Sequence, residues 1–256
     1  GGEEVNLTIM SDTAWQAKPL SNQSLSDKSL SNQVLLKPTQ GRVMPNYNHL
    51  TPIDLYHYGD NVPRRNNPVS SRAAKKFLDT AGWQIVGEIP NIKKCVLLAV
   101  PHTSNIDGIY AIATLLALDI DISVMGKKQL FAMPVLGKFL RWSGVVAIDR
   151  EKKGSTLQAT IDQFNQREQF WLALAPEGTR SYVKRLRTGF YHIAMGAGAP
   201  MLPIAMDYPT KQVRFMPLFY PTGDIDADMP KILDYYEGVK PRDFAKMAQP
   251  LQDLHK

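Results

Sequence analysis

The sequence predicts an α/β domain, with a mostly parallel central sheet covered by helices on both faces and an irregular N-terminal arm ahead of it. Three observations predict this. From Ser70 onward, short apolar runs of strand length alternate with longer segments of helical spacing. Some of the short runs, "CVLLAV" and "FWLALAP" among them, are almost continuously apolar, which suits strands buried on both faces. Residues 1–69 show neither pattern. "LSNQSLSDKSLSNQ" (20–33) is a polar, imperfect repeat that buries too little apolar surface to offset its ordering entropy, and Pro38, Pro45, Pro52, Pro63 and Pro68 interrupt the stretch from there to Val69. The expected division is an arm over 1–69 and a domain over 70–256. Leu50, Ile53, Leu55 and Tyr56 would let the arm wrap the body.

Along the domain, "SSRAAKKFLDTAG" opens on a serine cap and closes on Gly82, so it reads as a helix. "WQIVGEI" and "CVLLAV" are strands. Residues 104–118 form a helix and "DISVMG" a strand. "KKQLFAMPVLGKFLRWSG" is expected to be a helix broken near Pro134 and Gly137, followed by the strand "VVAID". "GSTLQATIDQFNQR" carries Leu157, Ile161 and Phe164 on one helical stripe. "FWLALAP" is a buried strand and "GFYHIAMGAG" a helix ending on glycine. The strands "MLPIAMDY" and "KQVRFM" come next, and "DADMPKILDYYEG" and "PRDFAKMAQPLQDL" finish the chain as helices.

The 256 residues suffice for one sizeable core. Lys and Arg outnumber Asp and Glu by 30 to 24, a net charge of +6. That excess suits an anionic partner, such as a phosphorylated substrate, an acidic carrier protein, an anionic membrane or nucleic acid; it equally serves solubility. A single cysteine, Cys95, allows no disulfide framework and no cysteine-based zinc site within one chain, so a reducing compartment is expected. No apolar run reaches the roughly 18 residues of a membrane span, and no secretory signal is expected from the first 30 residues.

His102 and Asp107 stand where a strand-like run ends at Pro101 and a ten-residue apolar run, Ile109 to Leu118, is about to begin. Five residues put two side chains roughly 140° apart on a straight helix, so the pair meets only if His102 lies in the turn before it. Pro101 and the good N-caps Thr103, Ser104 and Asn105 provide that turn. A carboxylate on the imidazole would fix its tautomer and leave the other nitrogen free to take a proton from a hydroxyl. The same spacing also suits a plain helix cap. In "LALAPEGTRS" (172–181) a buried strand ends at Pro176 and leads into Glu177, Gly178, Thr179 and Arg180. Gly178 lets the backbone approach a ligand, Arg180 offers a planar fork for phosphate, and Glu177 could brace an arginine. "KRLRTG" (184–189) adds cations including Arg187, and "GVVAIDR" (144–150) is a strand ending in Arg150. Each has an ordinary reading as a surface pair or a solvated basic loop.

Taken together these blocks resemble the glycerolipid and lysophospholipid acyltransferase superfamily, including the 1-acyl-glycerol-3-phosphate acyltransferases. His-x4-Asp matches "HTSNID" (102–107), Gly-x-x-x-Ile-Asp-Arg matches "GVVAIDR", Glu-Gly-Thr-Arg-Ser matches 177–181, and "GAPMLPIAM" (198–206) supplies the final block with Pro200 and Pro203. Ile106, where members often carry an aromatic residue, and Arg187-Thr188-Gly189, where they often carry lysine, mark an outlying branch. The resemblance implies an O-acyltransferase moving a fatty acyl group from a thioester donor, acyl-CoA or acyl carrier protein, to the hydroxyl of a lyso-lipid or glycerol-phosphate-type acceptor. His102 would be the general base and Asp107 its orienting partner. Arg150, Glu177, Gly178, Thr179, Arg180 and Arg187 would form the substrate site. It implies no metal and no cofactor beyond the co-substrate, no nucleic acid, and a cytoplasmic protein in peripheral contact with the anionic inner face of a membrane. A lipid phosphoesterase and a non-catalytic lipid-binding module are the alternatives.

Overall fold

The structure is a computed structural model that describes residues 50–55, 57–127, 134–143, 145–148 and 153–256. Backbone contacts divide the chain into two units, 1–43 and 44–256, and the described residues all belong to the second. Residues 1–49 and Tyr56 of the expected arm, residues 128–133 of the expected broken helix, and Arg150 lie outside the described residues.

The described strands are β1 (Gln84–Gly87), β2 (Lys94–Val100), β3 (Ile122–Lys127), β4 (Val145–Ile148), β5 (Phe170–Leu174), β6 (Met201–Asp207) and β7 (Gln212–Phe215). They form one sheet in the order β1-β7-β6-β2-β5-β3-β4. Neighbours are parallel except β6 and β7. The exception has a local cause. A tight turn joins these two strands, closed by the Lys211 N–H on the Tyr208 carbonyl at 3.2 Å, and so short a connection returns antiparallel. The sheet is therefore the mostly parallel α/β sheet that the apolar runs predict.

The helices are α1 (Pro68–Ala81), α2 (Asn105–Leu118), α3 (Pro134–Trp142), α4 (Lys153–Gln166), α5 (Gly189–Ala197), α6 (Ile225–Asp234) and the short α7 (Gln249–Gln252). Strand side chains alternate between two cores. Cys95 and Leu97 of β2, Trp171 and Ala173 of β5, and Leu202 and Ile204 of β6 share one face with Leu78 of α1 and Leu115 and Leu118 of α2. Val96 and Leu98, Phe170 and Leu172, and Met201 and Ala205 point the other way, onto Phe164 of α4, Ile193 of α5 and Ile232 of α6. Fully burying a side chain of this size stabilises the fold by about 1.5–3 kcal/mol, and the central strands do so on both faces.

Three elements depart from expectation. α1 begins two residues early, at Pro68, because Asn67 rather than a serine caps it: its Oδ1 accepts the Ser70 N–H at 3.1 Å, and proline fits a first position that needs no N–H donor. α3 runs through Gly137 unbroken. The expected helix 241–254 is instead a 3-10 turn (Phe244–Lys246) and α7, with Met247 extended between them at ψ 144°. A continuous helix would drive the Pro250 ring against the Lys246 carbonyl.

Residues 50–55 and 57–67, read with the arm in the sequence, pack on the body. The Ile53 N–H bonds the Ile85 carbonyl at 3.0 Å and the Gly87 N–H bonds the Thr51 carbonyl at 2.9 Å, covering the outer edge of β1, and Val62 is buried.

Candidate active site

β6, β2 and β5 are adjacent and parallel, and their ends are stepped by two residues, with Val100 opposite Ala205 and Leu98 opposite Leu174. The residues just beyond them converge at the carboxyl edge of the sheet, where open α/β sheets bind ligands. Tyr208 follows β6, His102 follows β2 and Glu177 follows β5.

His102 sits in the turn between β2 and α2, its side chain 28% exposed and so reachable from solvent. Asp107 stands in the first turn of α2 and is buried. The Ser104 hydroxyl accepts the Ile106 N–H at 3.2 Å, and the Asp107 Oδ2 accepts the N–H groups of Thr103 at 2.7 Å and Ser104 at 2.8 Å. That reciprocal cap brings Asp107 back over the turn. The His102 Nδ1 lies 3.7 Å from the same Oδ2, within ion-pair reach and longer than a hydrogen bond, because two backbone donors already occupy that oxygen. The cap and the His–Asp pair are thus one arrangement: the carboxylate that caps the helix also faces the imidazole. The other carboxylate oxygen, Oδ1, accepts the Tyr208 hydroxyl.

Glu177 is buried beside this turn. The sequence has it bracing an arginine; instead its Oε1 accepts the His102 backbone N–H at 2.9 Å, since β2 and β5 are neighbours and their ends meet. Its Oε2 has no partner among the described residues. Burial raises the Glu177 carboxyl from the usual 4.5 to about 7. Burial also lowers the His102 imidazole below its usual range; Asp107 pulls it back up, and the Arg180 charge lowers it again. Burial thus favours the neutral ring, the form able to accept a proton.

The loop after β5 supplies the cations. Gly178 holds φ +63°, and a side chain there would meet the Arg187 guanidinium, its Cβ 2.6 Å from Nε. Arg187 thus lies on the bare backbone of Gly178, tied by its own N–H to the Pro176 carbonyl at 2.9 Å. Thr179 closes a short turn by accepting the Ser181 N–H at 3.3 Å. Arg180, Lys184, Arg185 and Arg187 are all exposed. The structure thus brings His102, Asp107, Glu177 and Arg180 together, with Arg187 against Gly178, while Arg150 lies outside the described residues.

Sequence reasoning missed Tyr208. Its signal is faint: a tyrosine directly after an apolar strand and before Pro209 reads as a turn residue. No helix among the described residues is long and apolar enough to cross a membrane.

Comparison with known proteins bears on this site. A family model described as Acyltransferase matches residues 56–207, more than half of the chain and the whole span from His102 to Arg187. An uncharacterised acyltransferase of Schizosaccharomyces pombe is 35% identical over 126 residues, covering 46% of this chain and 44% of that protein. A 1-acyl-sn-glycerol-3-phosphate acyltransferase of Salmonella typhimurium is 33% identical over 97 residues, covering 35% and 39%. The chain thus spans less than half the length of these curated relatives. The crystal structure of a 1-acyl-sn-glycerophosphate acyltransferase from Thermotoga maritima superimposes with a TM-score of 0.46 at 18% identity, over 63% of this chain and 72% of that one.

Proposed function

The chain belongs to the acyltransferase family, and from that premise we propose that it moves a fatty acyl group from a thioester to the hydroxyl of a lyso-lipid or glycerol-phosphate-type acceptor. The observation that carries this reading is the reachable His102 facing the buried Asp107 across 3.7 Å at the carboxyl edge of the sheet. The imidazole takes the hydroxyl proton as the oxygen attacks the thioester carbonyl. Asp107 orients the ring and stabilises the imidazolium that forms. The proton then passes to the departing thiolate, the C–S bond breaks, and an ester and a free thiol leave. Acyl-CoA or an acyl carrier protein is the donor.

Arg180 and Arg187 hold the phosphate of the acceptor, with Gly178 and Thr179 shaping the loop, Glu177 anchoring the His102 turn and Arg150 adding a third guanidinium. The names of relatives that act on 1-acyl-sn-glycerol-3-phosphate support this acceptor class. The protein works in the cytoplasm, in peripheral contact with the inner face of an anionic membrane.

The test is thiol release from acyl-CoA with a panel of lyso-lipid acceptors. Wild-type protein releases thiol in an acceptor-dependent manner, and free glycerol phosphate competes with the acceptor. His102→Ala keeps the fold and loses about 10²- to 10⁴-fold in turnover. Full activity in that variant removes the base assignment, and phosphate release without thiol release would mark a phosphoesterase.

A further inference from the structure

Tyr208 is the first residue beyond the stretch that the family model matches, and it belongs to none of the four sequence blocks. Its hydroxyl nevertheless donates to the Asp107 Oδ1, across 101 residues of chain. The geometry around it is built rather than incidental. The ring stands edge-on against Trp83, centroids 5.0 Å apart. The Tyr208 N–H bonds the Lys240 carbonyl at 3.0 Å, and the Lys240 N–H returns to the Asp207 Oδ1 at 2.9 Å. Three residues on, the Asp243 N–H donates to the Thr103 Oγ1 at 3.3 Å, on the residue whose own N–H holds Asp107. A strap over 240–243 thus clasps both Tyr208 and the His102 turn.

We infer that Tyr208 is a positioning residue: its hydroxyl holds the carboxylate of Asp107 toward His102 and, by sharing the negative charge of that carboxylate, sets the basicity of the imidazole. The inference rests on the acyl-transfer reading for its kinetic part. A carboxylate with three donors, two backbone N–H groups and one phenol, is fixed in orientation and draws less strongly on an imidazolium than one with two. Other charges face the same groups. Arg180 acts on His102 from the loop after β5, Glu177 binds the His102 backbone, and Arg242 of the strap and Tyr110 of α2 act on the Tyr208 phenol. Burial and Asp107 keep that phenol protonated far above neutral pH, so it remains the donor throughout the working range.

Tyr208→Phe removes the hydroxyl and keeps the ring on Trp83. Three readouts are expected. kcat falls about 10-fold, the kinetic equivalent of one hydrogen bond to a charged group, while both KM values stay unchanged. The acid limb of the kcat/KM profile moves up by about half a pH unit, because Asp107 then holds the imidazolium more tightly. The His102 ring titrates at correspondingly higher pH by NMR in the free protein, its signal assigned with His102→Ala. Thermal unfolding shows whether the variant keeps its fold. A folded variant with unchanged kcat and unchanged His102 titration overturns the inference, and so does a raised acceptor KM with unchanged kcat, which would place Tyr208 against substrate. If wild-type protein releases no thiol but the NMR shift is present, the acyl-transfer reading falls and the Tyr208 coupling stands.

Discussion

At the residue scale, Glu177 carries an ionisation penalty with a definite pH window. Its pKa is about 7 in the fold against 4.5 when unperturbed, so the folded state binds its proton more tightly than the unfolded chain does. The group costs nothing below pH 4.5, costs progressively more between the two values and is at full penalty above 7. Glutamine keeps an oxygen for the His102 N–H and removes the charge. Glu177→Gln should therefore gain on the wild type as pH rises, by up to about 3 kcal/mol at pH 8, in urea unfolding run at several pH values; a difference independent of pH would contradict this. His102 and Asp107 are legible as a pair because spacing, Pro101 and three N-cap residues together leave only one way for them to meet. Tyr208 and the Glu177 contact are not, because each depends on which strands are neighbours, and no local pattern records that β6, β2 and β5 end side by side.

At the element scale, the loop between β5 and α5 works through a glycine that must stay bare. Gly178→Ala meets a left-handed φ, at a cost of about 1–2 kcal/mol, and pushes on the Arg187 guanidinium. Its expected signature is a modest loss of stability together with an acceptor KM raised about 10-fold, the loss of one charge-assisted hydrogen bond. The donor KM should stay near its wild-type value, and steady-state kinetics with the two substrates varied separately distinguish the two. The strands are the readable elements. A strand such as Phe170–Leu174 is apolar nearly throughout because it feeds both cores at once. The last helix is misread because helical spacing from Phe244 to Leu251 outweighs the steric consequence of Pro250, which breaks the segment and leaves the extended Met247 where it begins.

At the scale of the whole molecule, one loop gathers four cations beside the candidate site. Arg180, Lys184, Arg185 and Arg187 are all exposed on the loop that leaves the carboxyl edge of the sheet, the edge that also carries His102. Under the proposed acyl-transfer role, this loop is the part of the chain expected to meet an anionic surface. The protein should sediment with anionic vesicles at low salt and be released near 1 M salt, where the screening length falls to about 3 Å. Equal binding to neutral vesicles would remove the electrostatic part. The fold class is legible because alternation of strand and helix needs no long-range information, whereas the sheet order is not.

That order governs how the chain can be made. β1 pairs with β7, which in turn pairs with β6, so the first strand has its place in the sheet only after residues 212–215 arrive. During synthesis from the N-terminus, more than a hundred residues separate β1 from its partner strand, and β6 has no outer neighbour until Gln212–Phe215 follows it. A chain released before Gln212 would display two open ladders of unpaired amides, the kind of edge that recruits other chains. The clasp on Tyr208 beyond β6 is completed later still, by the carbonyl of Lys240.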